Sequence, residues 1–312
     1  MIKIRLIVYL TLCLWIQGYS QPEGSSRYKD YIYTNITVGK NMTYTSIVPD
    51  GAAEKRYRFD LYQAMADSNI SRPLIIWMHG GGFKFGSKKQ KSIRMWSRSF
   101  AKRGYVCAAI NYRLSKKNPL KNFDALVKGC FDAVQDLAQA IEFFKAHADQ
   151  YRIDTARIIL AGNSAGAIVA LQAAYSSPAE LAALTNNKDS TTLSSLIPIR
   201  VAAVINFWGA IFDTSSLKNA HVPIVSVHGQ KDRVVPYKSN GTSLYGSYIV
   251  HQKADSLNIP NSLKVYESVG HELQKHFKPI LRSGATKRRW IEAANFSADF
   301  LYNQVLKHTN EL

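Results

Sequence analysis

Acidic residues are scarce: the 312-residue chain holds 22 Asp and Glu against 40 Lys and Arg, a formal net charge of +18. That imbalance excludes an acidic solvating tail and directs attention to anionic partners, because a positive field raises the local concentration of polyanions. Cysteine is sparse too, with Cys13, Cys107 and Cys130 only. Three thiols are too few for a disulfide scaffold or a four-thiolate zinc site. Charged residues make up 20% and hydrophobic residues 46% of the chain, which excludes intrinsic disorder, and the 18 glycines follow no collagen period. No tandem repeat is visible. No apolar run reaches the roughly 20 residues that cross a bilayer.

What is present begins at the N-terminus. Met1 to Arg5 carries two positive charges and Leu6 to Ile16 is uncharged, too short to span a membrane. Gly18 and Ser20 put small residues at the −3 and −1 positions of a cut before Gln21, so residues 1–20 read as a secretory signal peptide. The expectation is a secreted or periplasmic protein, with residues 21–312 as one domain and no stable membrane anchor. An uncleaved anchor helix is the alternative. Cys13 lacks the small neighbours of a lipoprotein cleavage site. Export permits a disulfide between Cys107 and Cys130, yet both also suit core positions, so the question stays open. Asn35, Asn41, Asn69, Asn240 and Asn295 each begin an N-x-Ser/Thr sequon.

The densest basic stretch contains Lys84, Lys88, Lys89, Lys91, Arg94, Arg98, Lys102 and Arg103 without an acid. It reads as the solvated face of a helix. No nucleic-acid motif accompanies it, so no nucleic-acid partner is expected.

Alternation around Tyr31, Tyr33 and Tyr57 to Tyr62 predicts short antiparallel strands, with a turn at Pro49, Asp50 and Gly51. Further on, short apolar runs at 74–78, 105–110, 158–161, 201–207, 224–228 and 263–266 read as buried parallel strands. Helical periodicity lies between them over 90–102, 124–146, 164–175, 244–257 and 287–306. In 124–146, Leu126, Val127, Cys130, Val134, Leu137, Ile141 and Phe144 recur every three or four residues. Alternating strands and helices predict an α/β fold, a mostly parallel central sheet with helices on both faces. The Ser-, Thr- and Asn-rich segment 176–200 is the candidate surface insertion or small lid.

Three places carry chemistry. Gly162-Asn163-Ser164-Ala165-Gly166 follows a predicted strand and opens a helix, the context in which G-x-S-x-G presents a serine on a tight, strained turn. His79-Gly80-Gly81-Gly82-Phe83 ends another strand, and its glycines leave backbone N–H groups free to face a developing oxyanion. The N–H groups of Gly81, Gly82 and Ala165 are the candidate donors. Asp232 and His271 each lie just past a strand, at the sheet edge where a carboxylate and a base are placed, so the chain order is Ser, Asp, His. Asp213 and His276 are rivals for those roles. His79 and His228 read as structural, the first holding the glycine loop and the second ending its strand, whereas His147, His221, His251 and His308 read as surface residues. Phe83, Phe207 and Trp208, with Ile211, follow strand ends and are candidates for an acyl or aromatic pocket or, equally, for the core.

HGGGF at 79–83, GNSAG at 162–166, HGQKDRVVP at 228–236 and GHEL at 270–273 together resemble an α/β-hydrolase of the carboxylesterase type, which includes hormone-sensitive-lipase-like and carbohydrate esterases. Ala167 departs from relatives that often have a further glycine there. The resemblance implies a serine esterase acting through Ser164, His271 and Asp232 by an acyl-enzyme, without metal or organic cofactor. The short interval from Ser164 to Asp232 implies no large cap domain and an open site. An acetyl or feruloyl esterase on polysaccharide or small esters, with an acidic polysaccharide as partner, is the expected function; a general short-chain carboxylesterase or lipase is the alternative. A peptidase or amidase, and a catalytically silent binding module, are the readings from other classes.

Overall fold

The computed structural model describes residues 26–45, 53–185, 199–239, 241, 244–276 and 283–307. The signal segment, the turn at Pro49 to Gly51, most of the candidate lid, Asn240 and His308 lie outside the described residues.

Among the described residues there are ten strands: β1 Ile36–Thr43, β2 Arg58–Ala64, β3 Arg72–Met78, β4 Val106–Ile110, β5 Ile153–Asn163, β6 Ala203–Phe207, β7 Ala210–Ile211, β8 Ile224–Gly229, β9 Tyr245–Gly246 and β10 Asn261–Tyr266. Eight form one sheet in the order β1-β2-β4-β3-β5-β6-β8-β10, and the other two make a small antiparallel pair. Strands β4 to β10 of the large sheet run parallel, while β1 and β2 enter antiparallel at one edge. Every residue of β3 and β4 is buried, which is why 74–78 and 106–110 are continuously apolar rather than alternating.

The α-helices among the described residues are α1 Lys91–Ala101, α2 Phe123–Ala146, α3 Ala148–Tyr151, α4 Ala165–Tyr175, α5 Pro178–Leu184, α6 Ser247–Ser256 and α7 Gly284–Leu301. One face of the sheet is covered by α1 and α7, the other by α2, α4 and α6, so two apolar layers sandwich it. The Asn122 side chain accepts from the Ala125 N–H at 2.8 Å and caps α2. All of α4 is buried, between the sheet and α2, which explains its Ala-rich sequence. Within the candidate lid, α5 is closed by a capping box between Ser177 and Glu180.

Several expectations are corrected. Tyr31 and Tyr33 lie outside any strand, and the antiparallel edge is built from Ile36–Thr43 instead. Cys107 faces the α1/α7 layer and Cys130 the α2/α4 layer; both are free buried thiols on opposite faces of the sheet. His251 is buried rather than on the surface: its Nδ1 meets Asn261 Oδ1 at 2.6 Å, and burial pushes its pKa down to about 4. Two members of the basic run are also internal. Lys88 is buried with its ammonium on Asp60 and Asn41. Arg103 donates to Lys29 O, Ser99 O and Asn295 Oδ1. Burying a cation costs stability unless it is paired, and the partners come from segments that local periodicity does not reveal.

Candidate active site

Ser164 sits between the end of β5 and the first turn of α4, at φ 54° and ψ −122°, outside the conformations an L-residue ordinarily adopts. The turn is locked on all sides. Its N–H donates to Phe207 O at 2.9 Å, and a Cβ at Gly162 would lie 2.3 Å from the Gly166 carbonyl carbon. A Cβ at Gly166 would lie 2.2 Å from Met78 O. Both glycines are therefore required by close backbone approach.

His271 Nε2 stands 3.0 Å from Ser164 Oγ, and His271 Nδ1 stands 2.7 Å from Asp232 Oδ2. All three residues are nearly buried, between 5 and 8% exposed. Asp232 Oδ1 accepts from the N–H groups of Val234 and Val235 at 2.8 and 3.0 Å. Burial opposes its charge, but hydrogen bonds from His228 and His271 outweigh that cost and hold the carboxyl well below the usual carboxylate range. Asp232 is thus a fixed anion on the far nitrogen of His271, an arrangement in which the near nitrogen can accept a proton from Ser164.

The glycine loop lies against this turn. A Cβ at Gly80 would meet the Asn163 amide nitrogen at 2.9 Å and Ser164 Cβ at 3.2 Å. The Gly80 N–H donates to Asn163 Oδ1 at 3.1 Å and to Gln90 Oε1 at 3.2 Å. Gly81 and Gly82 adopt φ 122° and 59°, and among the described residues their N–H groups make no hydrogen bond. Two uncommitted backbone donors therefore stand on a loop packed against Ser164.

His79 holds the loop from within: it is fully buried, its Nδ1 meets Gly80 O at 2.8 Å, and burial pushes its pKa down to about 4. Tyr112 stacks on that imidazole at 4.3 Å and donates its hydroxyl to His79 O at 2.6 Å. The roles of Tyr112, Gln90 and Asn163 were not evident from sequence. Asn163 lies inside the GNSAG motif and Tyr112 just past β4, but the contacts that give them their roles come from distant segments.

A second buried histidine lies behind the carboxylate. His228 Nε2 is 3.1 Å from Val235 O and 3.5 Å from Asp232 Oδ2, and His228 Nδ1 is 2.7 Å from Ser247 Oγ. The Asn206 amide donates to Ser226 and Ser247 at 2.9 and 3.0 Å, completing a polar cluster. On the other flank, Trp290 Nε1 donates to Glu272 O at 2.9 Å and Arg289 to Leu273 O at 2.9 Å, tying the His271 loop to α7.

The rivals stay outside the cluster. Asp213 caps a 3₁₀ turn through the Ser215 N–H, and His276 is exposed. Phe83, Phe207 and Trp208 are core rather than pocket residues, with no accessible surface. Phe207 and Trp208 pack on Trp96 of α1, and Phe83 lies against Gly129 of α2. Among the described residues, exposed apolar side chains on segments of the site include Leu120, in contact with Gly82, together with Phe85 and Val234. Among the described residues, no three His, Cys, Asp or Glu side chains gather as a metal site, and no helix is long and apolar enough to cross a membrane.

A BD-FAE family model matches residues 59–222, just over half of the chain. The chain belongs to the BD-FAE family. This BD-FAE protein is an α/β-hydrolase of the carboxylesterase type. The matched region includes the glycine loop and Ser164, whereas Asp232 and His271 lie beyond it and are joined to the site by geometry. Gut esterase 1 of Caenorhabditis elegans is 32% identical over 95 residues, 30% of this chain and 17% of that protein. The probable carboxylic ester hydrolase LipM of Mycobacterium tuberculosis is 29% identical over 160 residues, 51% of this chain and 32% of that protein. The BD-FAE chain thus spans a third or less of the length of these relatives. Esterase 2 of Thermogutta terrifontis shares the fold, with a TM-score of 0.56 at 20% identity over 85% of this chain and 94% of its own.

Proposed function

We propose that the protein hydrolyses carboxylic esters, with Ser164 as nucleophile, His271 as general base and acid, and Asp232 as the carboxylate that orients and charges His271. The observation that carries this reading is the continuous chain from Ser164 Oγ to His271 Nε2 at 3.0 Å and from His271 Nδ1 to Asp232 Oδ2 at 2.7 Å, on a turn held at φ 54°. His271 removes the Ser164 proton as Oγ attacks the ester carbonyl, and the oxyanion is held by the N–H groups of Gly81, Gly82 and Ala165. Collapse expels the alcohol, which takes the proton from His271. Water, deprotonated by His271, then attacks the acyl-enzyme and releases the acid.

The substrate is an acetyl or feruloyl ester carried by a polysaccharide or a small alcohol, met outside the cytoplasm. Three observations support this. The net charge of +18, which is +16 without Lys3 and Arg5 of the N-terminal segment, favours an anionic polymer, and that segment has the pattern of an export signal. Among the described residues, the interval between α4 and β8 holds α5, the strands β6 and β7 and a 3₁₀ turn, which suits an open site. Exposed Leu120, Phe85 and Val234 also offer apolar contact, which favours the lipase-like form of the second reading, a general carboxylesterase or lipase.

Rates on p-nitrophenyl esters from acetyl to palmitoyl, and on methyl ferulate, test the proposal beside a Ser164→Ala variant. Activity on acetyl or feruloyl esters that vanishes in the variant is the expected result. A preference for long chains selects the second reading, and silence on every ester removes the hydrolytic assignment.

A further inference from the structure

A cavity of about 850 Å3 opens beside the glycine loop, outside the serine site, between the β4–α2 connection, the start of α2 and the 3₁₀ turn before β2. Its size lies within the range of small-ligand sites. Arg56, Ser115, Lys116, Lys117, Asn122 and Asp124 line it. Arg113 and Lys128 also border it, but their charges are committed to Asp136 and Asp132. The heads of Arg56, Lys116 and Lys117 make no hydrogen bond or ion pair among the described residues, and both lysines are exposed. Three uncommitted cations therefore converge on one concavity.

The cavity is mechanically continuous with the catalytic loop. The Ser115 N–H donates to Phe83 O at 2.7 Å, Lys84 donates its ammonium to Lys116 O at 2.7 Å, and Leu120 of the same connection touches Gly82. A chain bound along Lys116 and Lys117 runs beside the loop that faces Ser164.

We propose that this cleft is a binding site for a carboxylated saccharide, holding uronate groups of a polymer whose ester is presented to Ser164. The inference rests on the polysaccharide reading above. Free Arg and Lys heads recognise carboxylates by charge-assisted hydrogen bonds. Asn122, Ser115 and the Asp124 carboxylate supply partners for sugar hydroxyls. The hydroxyl partners favour a saccharide over a nucleic acid, the competing polyanion, and the titration decides between the two.

Calorimetric titration of the whole chain with an unesterified galacturonic acid oligomer, a neutral galactose oligomer of equal length and a single-stranded DNA oligomer tests the inference. No turnover is involved, so failure of binding leaves ester hydrolysis standing, and failure of hydrolysis leaves binding standing. The uronate is expected to bind, more weakly as salt rises, and at least about tenfold more weakly in the Lys116→Ser/Lys117→Ser double variant. Arg56→Gln, on a separate element, is expected to weaken binding in the same direction, with melting curves showing that each variant is folded. Equal binding of the neutral oligomer, tighter binding of DNA, no binding of the uronate, or unchanged affinity in both variants overturns the proposal.

Discussion

The Gly80 N–H donates to the Asn163 side chain at 3.1 Å, so the loop with the two uncommitted N–H groups is tied to the residue that precedes Ser164. Separated by more than eighty residues in sequence, the two turns form one rigid unit. A tetrahedral intermediate needs its donors fixed relative to the attacking oxygen, because donors that must reorganise during reaction stabilise charge poorly. Several measurable consequences follow from this unit and its supports.

Ser164→Ala removes the oxygen proposed to attack the ester, and little packing. Its kcat/KM on p-nitrophenyl acetate is expected to fall by on the order of 10⁴-fold or more, with the circular dichroism spectrum unchanged. A variant that keeps a tenth of the activity sinks the nucleophile assignment.

Asp232→Asn presents an amide to His271 Nδ1, favouring the wrong tautomer. The expected result is a loss in kcat of about 10⁴-fold with KM changed little. A loss below tenfold would place the orienting charge elsewhere.

Tyr112→Phe leaves the buried His79 carbonyl without its hydroxyl donor. An unsatisfied buried acceptor costs about 1–3 kcal/mol, so a lower melting temperature and a reduced kcat are expected together. Unchanged values for both would show that the loop does not depend on this bond.

Ser247→Ala removes the hydroxyl that meets His228 Nδ1 at 2.7 Å. With Nε2 still near Val235 O, the imidazole behind Asp232 becomes less fixed. We expect kcat to fall roughly 2- to 10-fold with KM retained, and Ser247→Thr to restore it. A change in KM alone would make Ser247 a substrate-side residue.

Asp136 gives a pH signature away from the site. Burial pushes its pKa up to about 6, although Arg113 Nε at 2.7 Å and the Arg113 N–H at 2.6 Å oppose the shift. A carboxyl raised above its unfolded value contributes stability that is fully present below about pH 4 and is lost as pH rises through 6. Denaturation from pH 4 to 7 should therefore show wild type losing about 2–3 kcal/mol relative to Asp136→Asn. A difference that does not vary with pH would mean that the Arg113 pair keeps Asp136 ionised throughout.

Much of the fold was legible because it is written in local apolar texture. The runs at 74–78, 158–161 and 224–228 lie within β3, β5 and β8, and the periodic stretch 124–146 matches α2 within a residue. Phe83, Phe207 and Trp208 were not legible as core, since an aromatic after a strand lines a pocket or fills a layer according to what packs over it. Here α1 and α2 supply that cover. Lys88 and His251 were misread for the same reason: their partners Asp60 and Asn261 lie on other elements.

By itself the sequence determined the order of strands and helices and the strand ends at which Ser164, Asp232 and His271 sit, because periodicity and glycine spacing are local properties of the chain. The tertiary structure decided that Asp232 and His271, rather than Asp213 and His276, meet Ser164, and that the Cys107 and Cys130 thiols stay apart. It also decided that Arg56, Lys116 and Lys117 share one cleft. Those outcomes depend on distances between segments far apart in sequence, and such distances are set only when the sheet and its two helical layers close together.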